Sequence, residues 1–201
     1  MKISIVDYGA GNLASVERAF ERLGATTERA ARPEAIARAG AIVLPGVGHF
    51  SAFVGGLRER NLAEALGTAF AGGVPLLGIC LGLQAFFESS AEAPGAVGLR
   101  FLPGEARALP TSVKSPHIGW NQVTRVAPSR LLRDVSESAY FYFAHSFALP
   151  AGEAHSVALC DHGFPFAAVV EWKNLMAVQF HPEKSAGPGE QVLRNFLEAA
   201  R

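Results

Sequence analysis

The chain has only two cysteines in 201 residues, Cys80 and Cys160, and neither belongs to a CxxC pair. That excludes a disulfide framework and a Cys-rich zinc site, and makes a reduced, cytoplasmic compartment the expectation. It has no charge surplus either, since 18 Lys+Arg balance 18 Asp+Glu. Neutralising phosphates or lying on an anionic bilayer requires a basic excess, so neither nucleic acid nor membrane is an expected partner. No run of about 18 residues is free of Gly, Pro and charge, so no transmembrane helix is predicted. The apolar start is cut by Asp7 too early for a signal peptide. His49, His117, His145, His155 and His162 show no metal-ligand spacing, and neither metal nor cofactor is expected. What the chain does have is 49% hydrophobic residues against 18% charged, enough for a packed core. Its length suggests one domain spanning 1–201.

The first half alternates apolar strands with amphipathic helices. Ile3–Asp7 reads as a buried strand broken by Gly9-Ala10-Gly11-Asn12. Asn12 can cap a helix whose apolar positions are Val16, Ala19, Phe20 and Leu23, with Gly24 just past its end. Ala41–Leu44 is the next predicted strand, stopped by Pro45-Gly46-Val47-Gly48, and a second helix is predicted over about 51–66. Val74–Leu77 is a third strand, with the following helix starting over Gln84–Ser89. In the second half, 101–109, 118–126, 139–149, 156–160, 166–172 and 175–180 read as strands, and Gly189–Ala199 as a closing helix. The expected class is α/β: an open, mainly parallel sheet flanked by helices, then an antiparallel strand-rich portion.

The chemistry concentrates in Gly78-Ile79-Cys80-Leu81-Gly82, where an apolar strand runs into a helix through Gly-x-Cys-x-Gly. A turn this tight needs glycine on both sides of the nucleophile, and it lifts the thiol toward a helix N-terminus. Alone, the pattern also fits a buried cysteine between packing glycines. Cys160 has no such frame and reads as core. A nucleophilic cysteine needs a base, and His181-Pro182-Glu183 offers one. On an extended chain i and i+2 share a side, so Glu183 can hold one imidazole nitrogen while the other faces the thiol; Pro182 is expected to keep a helix from starting. An oxyanion needs donors. The N–H of Leu81 is one, and the turn at Val47-Gly48 offers another. Gly9-Ala10-Gly11 lacks the third glycine and the acidic partner of a dinucleotide loop.

Together these segments resemble the class I glutamine amidotransferases, whose fold is flavodoxin-like. The opening Asp7-Tyr8-Gly9-Ala10-Gly11-Asn12, with His117-Ile118-Gly119-Trp120-Asn121 and Gln179 to Ser185, looks like the glutaminase subunits of imidazole glycerol phosphate synthases. The resemblance implies a Cys80–His181–Glu183 triad that hydrolyses glutamine to glutamate and ammonia through a glutamyl thioester. It implies substrate contacts from Gln84, from Glu92 and from backbone near His145-Ser146. It also implies a docking face at Asn12, Trp120, Tyr142 and Lys184 for a separate cyclase subunit, a (βα)8 barrel that receives the ammonia in histidine biosynthesis. Many members carry Tyr where this chain has Phe147. Two rivals stay open: the glutaminase of another synthase, such as pyridoxal phosphate synthase, and a cysteine-elbow peptidase or deglycase.

Overall fold

The computed structural model describes residues 1–11, 13–152 and 155–201. The first half runs β1 (Lys2–Val6), α1 (Leu13–Arg22), β2 (Thr26–Ala30), α2 (Pro33–Ala37), β3 (Ile42–Gly46), α3 (Phe50–Glu59), α4 (Leu62–Ala71), β4 (Leu76–Cys80) and α5 (Leu81–Ala85). The second half runs β5 (Ser89–Ser90), β6 (Glu105–Ala108), β7 (His117–Gln122), β8 (Thr124–Arg125), β9 (Tyr140–His145), β10 (Phe147–Ala148), β11 (Ser156–Asp161), β12 (Pro165–Trp172) and β13 (Leu175–Val178). A 3-10 turn at Pro182–Lys184 leads into α6 (Ala186–Ala199).

Eight strands form one sheet in the order β2-β1-β3-β4-β13-β12-β11-β8. The first five are parallel, and the last three join antiparallel. Alternate side chains of the parallel strands enter two separate cores. Ile3, Ile5, Val43, Leu77, Ile79, Met176 and Val178 pack with α1 and α6 through Phe20, Leu193 and Phe196. Val6, Ile42, Leu44, Leu76 and Leu175 pack on the other face with Phe50, Phe53, Leu57 and Leu66 of α3 and α4. A sheet covered on both faces explains why its central strands are unbroken apolar runs.

Several boundaries differ from the sequence reading. β2 has no counterpart among the predicted strands, because an edge strand that pairs only with β1 carries polar side chains and lacks the apolar run that marks a central strand. β3 continues through Pro45 to Gly46; β1 pairs only as far as Val43, so the missing proline N–H falls where no β1 partner remains. The single helix predicted over 51–66 is two, parted at Asn61, which takes the left-handed conformation (φ 57°) that Asn tolerates. The helix after β4 begins at Leu81 rather than near Gln84, with no linker. The predicted strands 118–126 and 139–149 each divide, and β7 with β9 forms a separate two-stranded ribbon. The capping role expected of Asn12 lies outside the described residues. Among the described residues, no helix is long and apolar enough to cross a membrane.

Candidate active site

Three neighbouring parallel strands, β3, β4 and β13, end on the same side of the sheet. Val47 follows β3, Cys80 ends β4, and His181 comes three residues after β13. Carboxyl ends of parallel strands are where an open α/β sheet leaves room for a ligand. Cys80 holds φ 55°, ψ −109°, a conformation uncommon for a residue with a side chain. Packing enforces that turn. A Cβ on Gly82 would stand 1.9 Å from the Leu44 carbonyl oxygen, and one on Gly78 would stand 2.5 Å from the Phe86 ring. Both positions are closed to any larger residue, so the Gly-x-Cys-x-Gly spacing is a steric requirement of strand-to-helix contact.

His181 is buried and lines the same cavity as Cys80. Its Nδ1 lies 2.9 Å from Glu183 Oε1. The local geometry differs from the extended chain expected. Pro182 opens a 3-10 turn instead of preventing one, and the turn folds Glu183 back under the imidazole. Proline suits that position because its missing N–H is not needed in a first turn. The turn is tied to β9: the His181 N–H donates to the Tyr142 carbonyl (2.8 Å), Ser185 Oγ donates to the His181 carbonyl (2.6 Å), and the Tyr142 N–H donates to Ser185 Oγ (2.9 Å). Burial disfavours the charged imidazole, but hydrogen bonds and charge from Cys80 and Glu183 outweigh it and raise the His181 pKa to about 10. The second Glu183 oxygen is buried without a hydrogen-bond partner among the described residues, so the carboxylate relies on His181 for compensation. A thiol beside an imidazole held this way can give up its proton and attack a carbonyl carbon. Cys160, by contrast, is 1% exposed, and burial with the nearby Asp161 charge pushes its thiol up to about 12.

A cavity of about 260 Å³ opens over Cys80. Of the residues named from the sequence, Val47, Gly48, Leu81, Gln84, Glu92, His145, Ser146, His181 and Lys184 line it. Glu92 accepts the Phe50 N–H at 2.8 Å through one oxygen, which pins the start of α3. Gln84 gives its amide hydrogens to the Phe147 carbonyl (2.8 Å) and to Gln179 Oε1 (3.1 Å), leaving its own oxygen as the polar group to offer a ligand. The Val47 peptide is bracketed by Tyr8: its N–H donates to the Tyr8 hydroxyl, which donates to its carbonyl, both at 3.2 Å. Beside the cavity mouth, Trp120 is 52% exposed, its ring meets Tyr142 edge-on, and Lys184 Nζ lies 5.7 Å above the Tyr142 ring. Asn12, named with them, lies outside the described residues.

Gln179, Ser185, Tyr8 and His117 also belong to the site, and no local spacing in the sequence marks any of them. His117 Nδ1 lies 3.1 Å from His145 Nε2, and His145 Nδ1 lies 3.0 Å from the Phe147 carbonyl. Since a carbonyl only accepts, His145 carries its proton on Nδ1 and takes one from His117. Among the described residues, no group of three or more His, Cys, Asp or Glu could hold a metal ion.

A family model described as glutamine amidotransferase class-I matches residues 4–200. The imidazole glycerol phosphate synthase subunit HisH of Moorella thermoacetica is 44% identical over 200 residues, 99% of this chain and 95% of that protein. The subunit of the same name from Methanothermobacter thermautotrophicus is 44% identical over 202 residues, 99% of each. Among solved structures, a glutamine amidotransferase superposes with TM-score 0.79 at 17% identity, covering 98% of both chains. PurLQS from Thermotoga maritima gives 0.79 at 17% identity, covering 100% of this chain and 99% of that one. At such identities the two structures speak for the fold alone.

Proposed function

The chain belongs to the class I glutamine amidotransferases, and from that premise we propose that it is the glutaminase subunit of an imidazole glycerol phosphate synthase. The observation that carries this reading is Cys80 at the elbow, sharing a cavity with the His181 imidazole, whose Nδ1 meets Glu183 Oε1 at 2.9 Å. The relatives quoted above bear the synthase name, which favours this reading over a pyridoxal phosphate synthase subunit or a peptidase. The whole chain, 1–201, serves as one amidotransferase domain.

In this reading Cys80 passes its proton to His181 and attacks the side-chain amide carbon of glutamine. The Leu81 N–H, at the first position of α5 where no intrahelical acceptor exists, takes the developing oxyanion with a donor from the Val47-Gly48 turn. His181 returns the proton to the leaving nitrogen, releasing ammonia and leaving a glutamyl thioester. Water then adds with His181 as base, and glutamate and the thiol are regenerated. Glu183 orients the imidazole and stabilises its charged form. The free oxygens of Gln84 and Glu92 suit the substrate's α-ammonium, and backbone at His145-Ser146 its α-carboxylate.

The ammonia passes to a cyclase subunit, a (βα)8 barrel, docked against Trp120, Tyr142 and Lys184 with Asn12. The cyclase uses it to form imidazole glycerol phosphate and the aminoimidazole carboxamide ribonucleotide, in the cytoplasm. The test is glutamate release by this chain with and without that cyclase and its nucleotide substrate. Stimulation by the cyclase pair supports the assignment. Equal stimulation by an unrelated synthase subunit, or by none, overturns it.

A further inference from the structure

Gln179 is fully buried, 0% exposed, directly behind the nucleophile. Its Nε2 lies 3.6 Å from Cys80 Sγ, and its Oε1 lies 3.1 Å from Gln84 Nε2. The orientation of this amide is fixed by its surroundings. The Phe147 carbonyl can only accept, so the Gln84 atom 2.8 Å from it is the nitrogen. That nitrogen has one hydrogen left for Gln179, which must therefore present its oxygen to Gln84 and its NH₂ to the sulfur. The Phe147 carbonyl is held from the other side by His145 Nδ1 at 3.0 Å. A buried amide with one end committed has no low-energy alternative to donating at the other.

We infer that Gln179 is a hydrogen-bond donor to the nucleophilic sulfur, oriented by Gln84, which holds Cys80 in line and favours its charged form over the neutral thiol. The inference rests on Cys80 being the nucleophile of the proposed reaction. It gives the sulfur a donor besides the His181 imidazole that the proposed reaction uses. A neutral thiol gains little from a donor at this distance, whereas a sulfur anion gains a charge-assisted bond in a place shielded from water. Other groups near the sulfur are His181 from the turn after β13 and the Ala144 carbonyl from β9 at 3.9 Å, and the Tyr8 hydroxyl from the β1–α1 connection is close enough to feel its charge. Glu92 and Lys184 line the same cavity. Gln179 presents a donor and no charge, so its contribution is separable from theirs.

Gln179→Glu keeps the shape and the acceptor for Gln84 but turns an oxygen toward the sulfur. Gln179→Met keeps volume and removes the donor. The measurement is the rate of Cys80 alkylation by iodoacetamide across pH 5–10, read by mass spectrometry of the Cys80 peptide in the complex with the cyclase, beside kcat and KM for glutamine. The expected result is a profile moved about one unit to higher pH in Gln179→Met, and further in Gln179→Glu, with kcat lowered about tenfold and KM within about twofold. Synthesis from added ammonium salt should continue in both, which shows that fold and docking survive. Unmoved alkylation profiles in variants that still use ammonium overturn the inference. Loss of ammonium-dependent synthesis in both variants assigns Gln179 to the fold and overturns it equally. If the wild-type protein reacts at Cys160 rather than Cys80, it is the assignment of the nucleophile that fails.

Discussion

Cys80 and Cys160 are both buried thiols, and their surroundings decide which one can react. Cys80 opens on a cavity that it shares with the His181 imidazole, whereas Cys160 is enclosed and held neutral. Cys80→Ala should therefore abolish glutamine hydrolysis while the complex still makes product from ammonium salt. Cys160→Ala should leave turnover within about twofold. Activity in the first variant and none in the second would reverse the assignment. The two partners of the thiol should also separate. In the proposed reaction His181 moves protons, so His181→Ala should cost at least ~10²–10⁴ in kcat. In the same proposal Glu183 only orients and stabilises the imidazole, so Glu183→Gln should cost less. Equal and negligible losses, measured as glutamate release in the complex, would remove the pair from the reaction. These residues were legible because their chemistry is local: the elbow needs its glycines within two positions, and His181 with Glu183 lies within one turn. Gln179 and Tyr8 were not legible as participants. Each reaches its partner across 99 and 39 residues respectively, and nothing in the local spacing records such a contact.

At the scale of elements, the central strands were legible as apolar runs, while the polar edge strand β2 was not. The β7–β9 ribbon was legible as two strands but not as a separate sheet, since strand pairing is set by tertiary contact. The ribbon pairs His117 with His145 and, three residues on, Trp120 with Tyr142, so one short element carries both a buried imidazole pair and the exposed aromatic face. Burial, then the neighbouring His162, lowers the His117 pKa to about 4; burial, then His117, lowers that of His145 to about 3. The unfolded chain, with ordinary values near 6.5, binds protons that the folded chain refuses. Stability from this pair is thus complete above pH 6.5 and is lost as pH falls toward 4 and 3. His181 adds no slope in that window, because a pKa raised to about 10 leaves it protonated in both states below 6.5. At pH 5, about one and a half units under the ordinary value, one imidazole costs about 2 kcal/mol. Urea unfolding at pH 7 and pH 5 should show His117→Gln losing about 2 kcal/mol less than the wild type between the two. Equal losses would mean that the pair is not held neutral.

For the whole molecule, the arrangement around Val47 bears on when glutamine should be consumed. The Val47 N–H, in the turn proposed to supply the second oxyanion donor, is occupied by the Tyr8 hydroxyl, which holds the carbonyl of the same residue as well. An absent oxyanion donor costs ~10²–10³ in rate, or ~3–4 kcal/mol. Docking the cyclase with its nucleotide bound need only favour the donor-ready loop by that amount. The lone chain should therefore be a poor glutaminase, stimulated at least ~100-fold by the loaded partner. The gain should fall mainly in kcat, because the oxyanion contact forms in the transition state. Tyr8→Phe removes the hydroxyl that brackets the loop and keeps the ring against Phe53, 4.5 Å away between centroids. Its effect should be asymmetric: glutamate release by the lone chain rises several-fold, release by the loaded complex changes little, and the stimulation ratio shrinks accordingly. The assay is glutamate release by wild type and variant, alone, with the cyclase, and with the cyclase plus its nucleotide. A variant slowed equally in all three would make the hydroxyl a support of the active loop rather than a restraint on it. A wild-type chain fully active alone would remove the need for any restraint, while leaving the chemistry at Cys80 unchanged.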